Sequence, residues 1–245
     1  MLKIKDLTVK VEWKEILKKI NLNLEIGKNY CILWPNWSWK SSLALTIMGH
    51  PKYNVKCWML NVKYNNKTID LTKLNPSERS KLWIFLAFQH IPEVKWVKLF
   101  EFLKSIYDNK HWTKTSFLQF KKIIEPLLAE LKIDKEFLRR DLNVGFSGGE
   151  RRKTELLQIR LLEPTYIFLD EVDSGLDVDA FRDIAKQLKK LNHGRNSFII
   201  ITHLFKILDH LPVDMVYVMK NWEIIKFWDK KLINKISKEG FGKIS

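Results

Sequence analysis

Lys40 and Ser41 close the stretch Leu33-Trp34-Pro35-Asn36-Trp37-Ser38-Trp39-Lys40-Ser41-Ser42, in the order of a phosphate-binding loop. Such a loop reads G-x-x-x-x-G-K-[ST]: glycines let backbone N–H groups wrap the phosphates, while the Lys and the Ser/Thr reach phosphate oxygens and Mg²⁺. Here Trp34 and Trp39 occupy both glycine positions, and Trp37 sits where many such loops carry a third. Taken literally, three indoles crowd a cradle for a polyphosphate, and each is strained wherever the backbone needs a positive φ. Either the site is dead or the tryptophans stand for another residue. Further along, polar residues close apolar runs: Gln89, then Asp170 with Glu171, then His203. Ser147-Gly148-Gly149-Glu150 opens a helical stretch, where successive N–H groups make an anion-binding nest.

These groups need elements to position them. Residues 2–10 and 20–26 alternate apolar and polar, as half-buried strands do, with a turn near Trp13 between them. The apolar strand 30–33, the loop to Trp39 and a helix over 40–48 give the strand, loop and helix context that a phosphate loop requires. Short strands follow to residue 71, with turns at Trp58 and Asn65-Asn66, and a helix starts at Asn75-Pro76-Ser77-Glu78. The stretch 99–142 is mainly helical with a polar interruption over 108–115, which suggests a helical lobe inserted at about 90–162. The runs 84–88, 166–169 and 197–202 read as strands buried on both faces, and a helix spans 178–191. A hairpin over 215–227 turns at Asn221-Trp222, and 230–239 reads as a short basic helix. The pattern predicts one α/β domain over 1–245, with ligands at the carboxyl ends of parallel strands.

Composition bears on the tryptophans. The chain has 10 Trp and only 9 Gly in 245 residues, so reading every Trp as Gly would give 19 glycines, an ordinary content given a usual share of about 7%. The net charge of +15 comes from lysines scattered among many Asn and Ile, as an A/T-rich coding sequence produces, and no nucleic-acid partner is expected. Cys31 and Cys57 have no metal-ligand or redox spacing. No apolar run reaches the roughly 18 to 20 residues of a membrane span, and MLKIKDL has no signal-peptide character; a cytoplasmic protein without membrane insertion is expected.

Taken together, the motifs resemble the ATP-binding cassette (ABC) ATPases over essentially the whole chain. The loop at 34–42 matches the Walker A motif, IFLDE at 167–171 the Walker B motif, and FSGGE at 146–150 the signature loop. Ser174-Gly175-Leu176-Asp177 is similar to the D-loop, Gln89 to the Q-loop residue and His203 to the switch histidine. GHPKY, FLAFQH, NVGFSGGE, DEVDSGLD, SFIIITH and EGFG narrow the resemblance to the ATPases of the Suf iron–sulfur cluster assembly system. The fold implied is a P-loop NTPase core with a parallel sheet, an N-terminal antiparallel β subdomain and a helical subdomain.

The resemblance also implies roles. ATP would lie against Trp34, Pro35, Asn36, Trp37, Ser38, Trp39, Lys40, Ser41 and Ser42, with Lys40 on the β- and γ-phosphates. Ser41, Gln89 and Asp170 would share Mg²⁺, Glu171 would polarise the attacking water, and His203 would sense the γ-phosphate. Ser147, Gly148, Gly149, Glu150 and Asp177 would complete the site of a second copy in a transient head-to-tail dimer. The partners implied are Suf scaffold proteins of the SufB/SufD kind. Two alternatives stand beside this: the ATPase subunit of an importer, or a catalytically silent binding module if the tryptophans are genuine.

Aligned on the family pattern, Trp34, Trp37 and Trp39 fall on the glycines of GPNGSGKSS, while Trp58, Trp83, Trp96, Trp222 and Trp228 fall where glycine is also favoured. Trp13 and Trp112 lie in turns where glycine is plausible. A decaying gene loses glycine to a mixture of residues and loses Lys40 or Glu171 as readily. The expectation is therefore that UGA codons, read as Gly in the source organism, stand here as Trp.

Overall fold

The computed structural model describes residues 1–33, 40–192, 194–202 and 206–228. Its elements begin with β1 (Leu2–Val11), β2 (Lys14–Leu24), β3 (Tyr30–Leu33), α1 (Lys40–Ile47), β4 (Asn54–Lys56), β5 (Met59–Tyr64), β6 (Lys67–Asp70), α2 (Pro76–Ser80) and β7 (Ile84–Ala87). They continue with β8 (Val94–Lys98), α3 (Leu99–His111), α4 (Phe117–Leu131), β9 (Asp141–Leu142) and α5 (Gly148–Leu162). The last are β10 (Tyr166–Asp170), α6 (Val178–Leu191), β11 (Ser197–Thr202), β12 (Met215–Lys220) and β13 (Glu223–Trp228). Contacts divide the chain into two compact units: Met1–Gln89, Thr165–Val172 and the described part of Asn192–Ser245 form the first, His90–Pro164 and Asp173–Leu191 the second. To the interval 90–162 the second unit thus adds 163–164 and the segment carrying α6.

Two sheets build the first unit. Alternating side chains put Leu2, Ile4, Leu7 and Val9 of β1 inside, and β1 pairs antiparallel with β2, β4 and β5. The second sheet runs β13-β12-β3-β11-β10-β7, parallel except for the edge strand β13. Its inner strands β3, β10 and β11 are buried at every residue, which is why they read as unbroken apolar runs. A single apolar cluster joins the two sheets, from Leu2 and Ile20 through Tyr30 and Ile47 to Phe168 and Ile199; each such side chain contributes about 1.5–3 kcal/mol.

Polar staples fix the entry to β3. Asn29 donates from its backbone to Asp214 Oδ2 at 2.7 Å and from Nδ2 to the Pro212 carbonyl at 2.8 Å, and its Oδ1 accepts from Phe198 N at 3.0 Å. At Gly27, with φ +84°, a Cβ would lie 2.7 Å from the Gly194 carbonyl oxygen, so only glycine fits.

In the second unit, α4 and α5 begin with reciprocal capping boxes, Ser116 with Gln119 and Ser147 with Glu150. Phe120, Ile124, Leu128 and Leu131 line the buried face of α4. Two sequence readings need correction here and at the end of β7. The strand read as 84–88 stops at Ala87, where its ladder with β10 ends at the Leu169–Ala87 pair, and Phe88 is 41% exposed. The stretch read as mainly helical to residue 142 ends in the two-residue strand β9, paired with β8. Asp141 holds that pair by accepting from Trp96 N at 3.0 Å and Lys98 Nζ at 2.8 Å, a contact over 45 residues that local periodicity cannot register.

Four described tryptophans have left-handed backbone: Trp83 (φ 65°), Trp96 (φ 67°), Trp112 (φ 52°) and Trp222 (φ 74°). Trp13, Trp58, Trp96 and Trp112 stand 96%, 82%, 91% and 86% exposed.

Candidate active site

The helix that follows the phosphate loop is tied down at its far end. Arg79, buried and carried by α2, donates from Nη1 to the carbonyls of Thr46 and Ile47 at 2.9 and 3.0 Å, and from Nε to that of Leu74 at 2.9 Å. These are among the carbonyls that the last turn of α1 cannot satisfy itself, and a cation there opposes the negative end of the helix dipole. Burial lowers the Arg79 pKa. Gly49 lets the guanidinium in, since a Cβ there would sit 2.8 Å from Arg79 Cζ. At the near end, Lys40 opens the helix, Ser41 is half-buried, and the buried Ser42 donates to the Tyr53 hydroxyl at 3.4 Å. Trp34, Pro35, Asn36, Trp37, Ser38 and Trp39 lie outside the described residues, as do any obstruction by Trp37 and Trp39, the switch residue His203 and the helix expected over 230–239.

Adjacent parallel strands bring the acidic pair and the glutamine together. β10 runs beside β7, so Asp170 and Glu171 emerge next to Gln89, two residues past Ala87. Asp170 is 2% and Glu171 5% exposed. Gln89 Nε2 donates to Glu171 Oε2 at 2.5 Å, and Glu171 N donates to the Ile201 carbonyl at 2.9 Å. Glu171 holds a φ of +46°, a conformation that costs a non-glycine residue about 1–3 kcal/mol and persists where the surroundings over-determine it. The result is a carboxylate with fixed orientation at the sheet's carboxyl edge, suited to accept a proton or align a water.

A divalent ion fits the chemistry of these donors. The Ser41 hydroxyl, the Asp170 carboxylate and the Gln89 amide oxygen are hard oxygen ligands, and no cluster of three or more His, Cys, Asp or Glu that could hold a metal occurs among the described residues. So sparse a set suits Mg²⁺, which keeps several waters and shares its shell with substrate phosphates.

In the second unit, Ser147 caps α5: its Oγ accepts from Glu150 N at 3.3 Å, while Ser147 N donates to Glu150 Oε2 at 2.7 Å. Glycine lets this helix start lie close to the next turn, because a Cβ on Gly148 would meet the Gly175 carbonyl oxygen at 3.2 Å and one on Gly149 would meet Ala180 Cβ at 3.3 Å. Ser147 and Gly148 remain exposed. Asp177, expected at the nucleotide, accepts from Ala180 N at 2.7 Å and so caps α6. Arg151 pairs with Glu93 and donates to the Phe146 carbonyl at 2.9 Å, and Arg152 forms a buried ion pair with Glu155 at 2.7 Å. Sequence reading passed over Arg79 and Arg152. An i,i+3 pair of opposite charges, Arg152 with Glu155, leading into the apolar run of α5 was the available sign for Arg152, whereas Arg79 lay in a polar helix start with no sign at all.

Comparison with known proteins adds the following. The ABC transporter family profile matches residues 17–174. The chain is 37% identical over 246 residues to the "Probable ATP-dependent transporter SufC" of Escherichia coli K12, covering 99% of this chain and 98% of that one. It is 38% identical over 247 residues to the "Iron-sulfur cluster assembly protein SufC" of Plasmodium falciparum, covering 98% of this chain and 70% of that protein. The "Probable ATP-dependent transporter ycf16" of Cyanophora paradoxa is 38% identical, with 98% and 93% covered. In fold, the chain is similar to a solved dimer of the cassette MJ0796 in a post-hydrolysis state with ADP and Pi, with TM-score 0.75 and 22% identity over 94% of this chain and 98% of that one.

Proposed function

The chain belongs to the ABC transporter family, among the SufC and ycf16 relatives, and from that premise we propose that this ATPase uses Mg–ATP to drive iron–sulfur cluster assembly on a Suf scaffold complex. The observation that carries the site chemistry is the hydrogen bond from Gln89 to the buried, strained Glu171 at the carboxyl edge of the parallel sheet.

Phosphoryl transfer needs positioning and charge stabilisation more than covalent chemistry. Lys40 neutralises the β- and γ-phosphates, and the N–H groups at the start of α1 add the positive end of the helix dipole. Ser41, Gln89 and Asp170 would hold Mg²⁺, which would supply charge neutralisation when bound. Glu171 accepts a hydrogen bond from the attacking water, and Gln89 sets the direction of that carboxylate. His203 contacts the γ-phosphate. Ser147, Gly148 and Gly149 of a second copy offer their helix-start N–H groups to the same phosphate, so turnover requires transient head-to-tail pairing. SufB/SufD-like scaffold proteins dock near Gln89 and the helical lobe, and the protein works in the cytoplasm.

The transporter wording in the relatives' names favours a second reading, an importer ATPase that binds a permease in the same place. No described helix is long and apolar enough to cross a membrane. Affinity capture from native lysate decides between them. Recovery of soluble scaffold proteins, with ATP hydrolysis rising on their addition, is expected; recovery of an integral permease instead would overturn the Suf reading.

A further inference from the structure

We propose that the native protein carries glycine at residues 83, 96, 112 and 222, and by the same single rule at all ten positions written as tryptophan, because the backbone at those four described sites is built for glycine.

Each of the four sits in a different local structure that asks for the same thing. Trp112 ends α3 in the left-handed C-cap conformation, its N–H donating to the Asp108 carbonyl; glycine is the usual residue there because it has no Cβ to clash. Asn221 and Trp222, at φ 51° and 74°, are the two central residues of the β12–β13 hairpin turn. Two positive φ values in a two-residue turn define type I′, whose preferred pair is Asn-Gly. Trp96 lies at the irregularity of the β8–β9 ladder, between Val94 and Lys98, where a left-handed residue is the mark of a glycine bulge. Trp83 turns the chain into β7, and its carbonyl accepts from both Thr165 N and Tyr166 N at 2.9 Å, so the turn cannot relax without losing the start of β10.

The other aromatic residues supply the control. No described Phe or Tyr has a positive φ; the remaining non-glycine residues that do are Asn, Asp, Glu and Lys. Phe120, Phe168, Phe198, Tyr30 and Tyr166 fill cores. By contrast, Trp13, Trp58, Trp96 and Trp112 are exposed and none belongs to the buried core. Left-handed backbone in this chain is otherwise found at Gly27, Gly49, Gly145, Gly175 and Gly194 and at Asn, Asp, Glu and Lys positions that include the helix C-caps Lys132 and Glu163. At the exposed positions tryptophan thus does the work of glycine and not that of an aromatic; at Trp222, whose ring is partly buried against the apolar cluster and lies 5.7 Å from Lys14 Nζ, the backbone alone makes the demand. UGA codons translated as glycine produce this pattern, since they mark a subset of glycines and leave Lys40, Asp170 and Glu171 untouched. Applied to Trp34, Trp37 and Trp39, the rule restores a glycine phosphate loop by sequence alone.

The inference does not depend on ATP chemistry, since a chain with ten more glycines could still prove inactive. The test is peptide mass spectrometry of the protein purified from its own cells, over peptides containing residues 83, 96, 112 and 222, with the indole fluorescence of the intact protein as a second readout. Glycine at all four and no indole emission are expected. Tryptophan at any one of the four, or a UGG codon at any of the ten, overturns the single rule. A recombinant arm isolates the backbone demand from bulk: Trp83→Gly, Trp96→Gly, Trp112→Gly and Trp222→Gly combined against the same four changed to Ala. The glycine version is expected to have the higher Tm, and equal Tm values would remove the backbone demand on which the proposal stands.

Discussion

The strand-end cluster of the first unit and the start of α5 in the second unit are both proposed to meet the γ-phosphate, yet they are finished in opposite ways. Asp170 and Glu171 are buried, and Glu171 makes its hydrogen bonds with residues far away in sequence, its carboxylate accepting from Gln89 and its N–H donating to the Ile201 carbonyl. Ser147 is exposed and satisfied within four residues by its own capping box. The first cluster is assembled by the sheet and is useless without it. The second is a local device that holds its shape anywhere, which is what a contribution lent to another copy requires.

Breaking the buried cluster has the largest expected effect. Glu171→Gln keeps the shape but removes the acceptor charge, and ATP turnover should fall by about 10²–10⁴-fold while ATP binding remains, measured by steady-state hydrolysis beside equilibrium binding. Ser147→Asp tests the lent cluster. Aspartate is as good a helix cap as serine, so the unfolding free energy should stay within about 0.5 kcal/mol of the parent's. The new negative charge would repel a phosphate, so turnover should drop while ATP binding by the single subunit is unchanged. Loss of both stability and binding would show that the α5 start is merely structural.

Arg79→Ala sharpens the contrast from the side of the first unit, because it strips the guanidinium donor from the Ile47 carbonyl, while the Thr46 carbonyl keeps Gly49 N at 3.0 Å. Leaving buried acceptors unsatisfied costs about 1–3 kcal/mol, which denaturant unfolding would detect. Asp108, in the second unit, sets the smallest effect. Hydrogen bonds from Lys104 first, and then from Thr115, hold its carboxyl at about 2. A depressed acid stabilises the fold above its ordinary value and loses that contribution as pH falls from about 4 towards 2. Asp108→Asn should therefore lower Tm at pH 7 and converge with the parent at the acid end.

The two clusters were also unequally legible in the sequence. Unbroken runs such as IFLD and FIIIT announced strands buried on both faces, and with them the polar residues at their ends. The capping boxes at Ser116 and Ser147 are local motifs of the same readable kind. What periodicity could not supply was any contact whose partner lies far along the chain: the Asp141 clamp on β8, the Arg79 clamp on α1, the positive φ of Glu171. Phe88 misled because its apolar side chain continues the pattern of β7 past the point where the sheet ends.

The most direct test is steady-state Mg–ATP hydrolysis by the chain with Trp34→Gly, Trp37→Gly and Trp39→Gly, measured beside the chain as written. Hydrolysis by the substituted chain, lost again on adding Glu171→Gln, is the predicted result. Equally tight Mg–ATP binding and equal turnover by both chains would contradict it, since a loop with three indoles would then serve as well as one with three glycines.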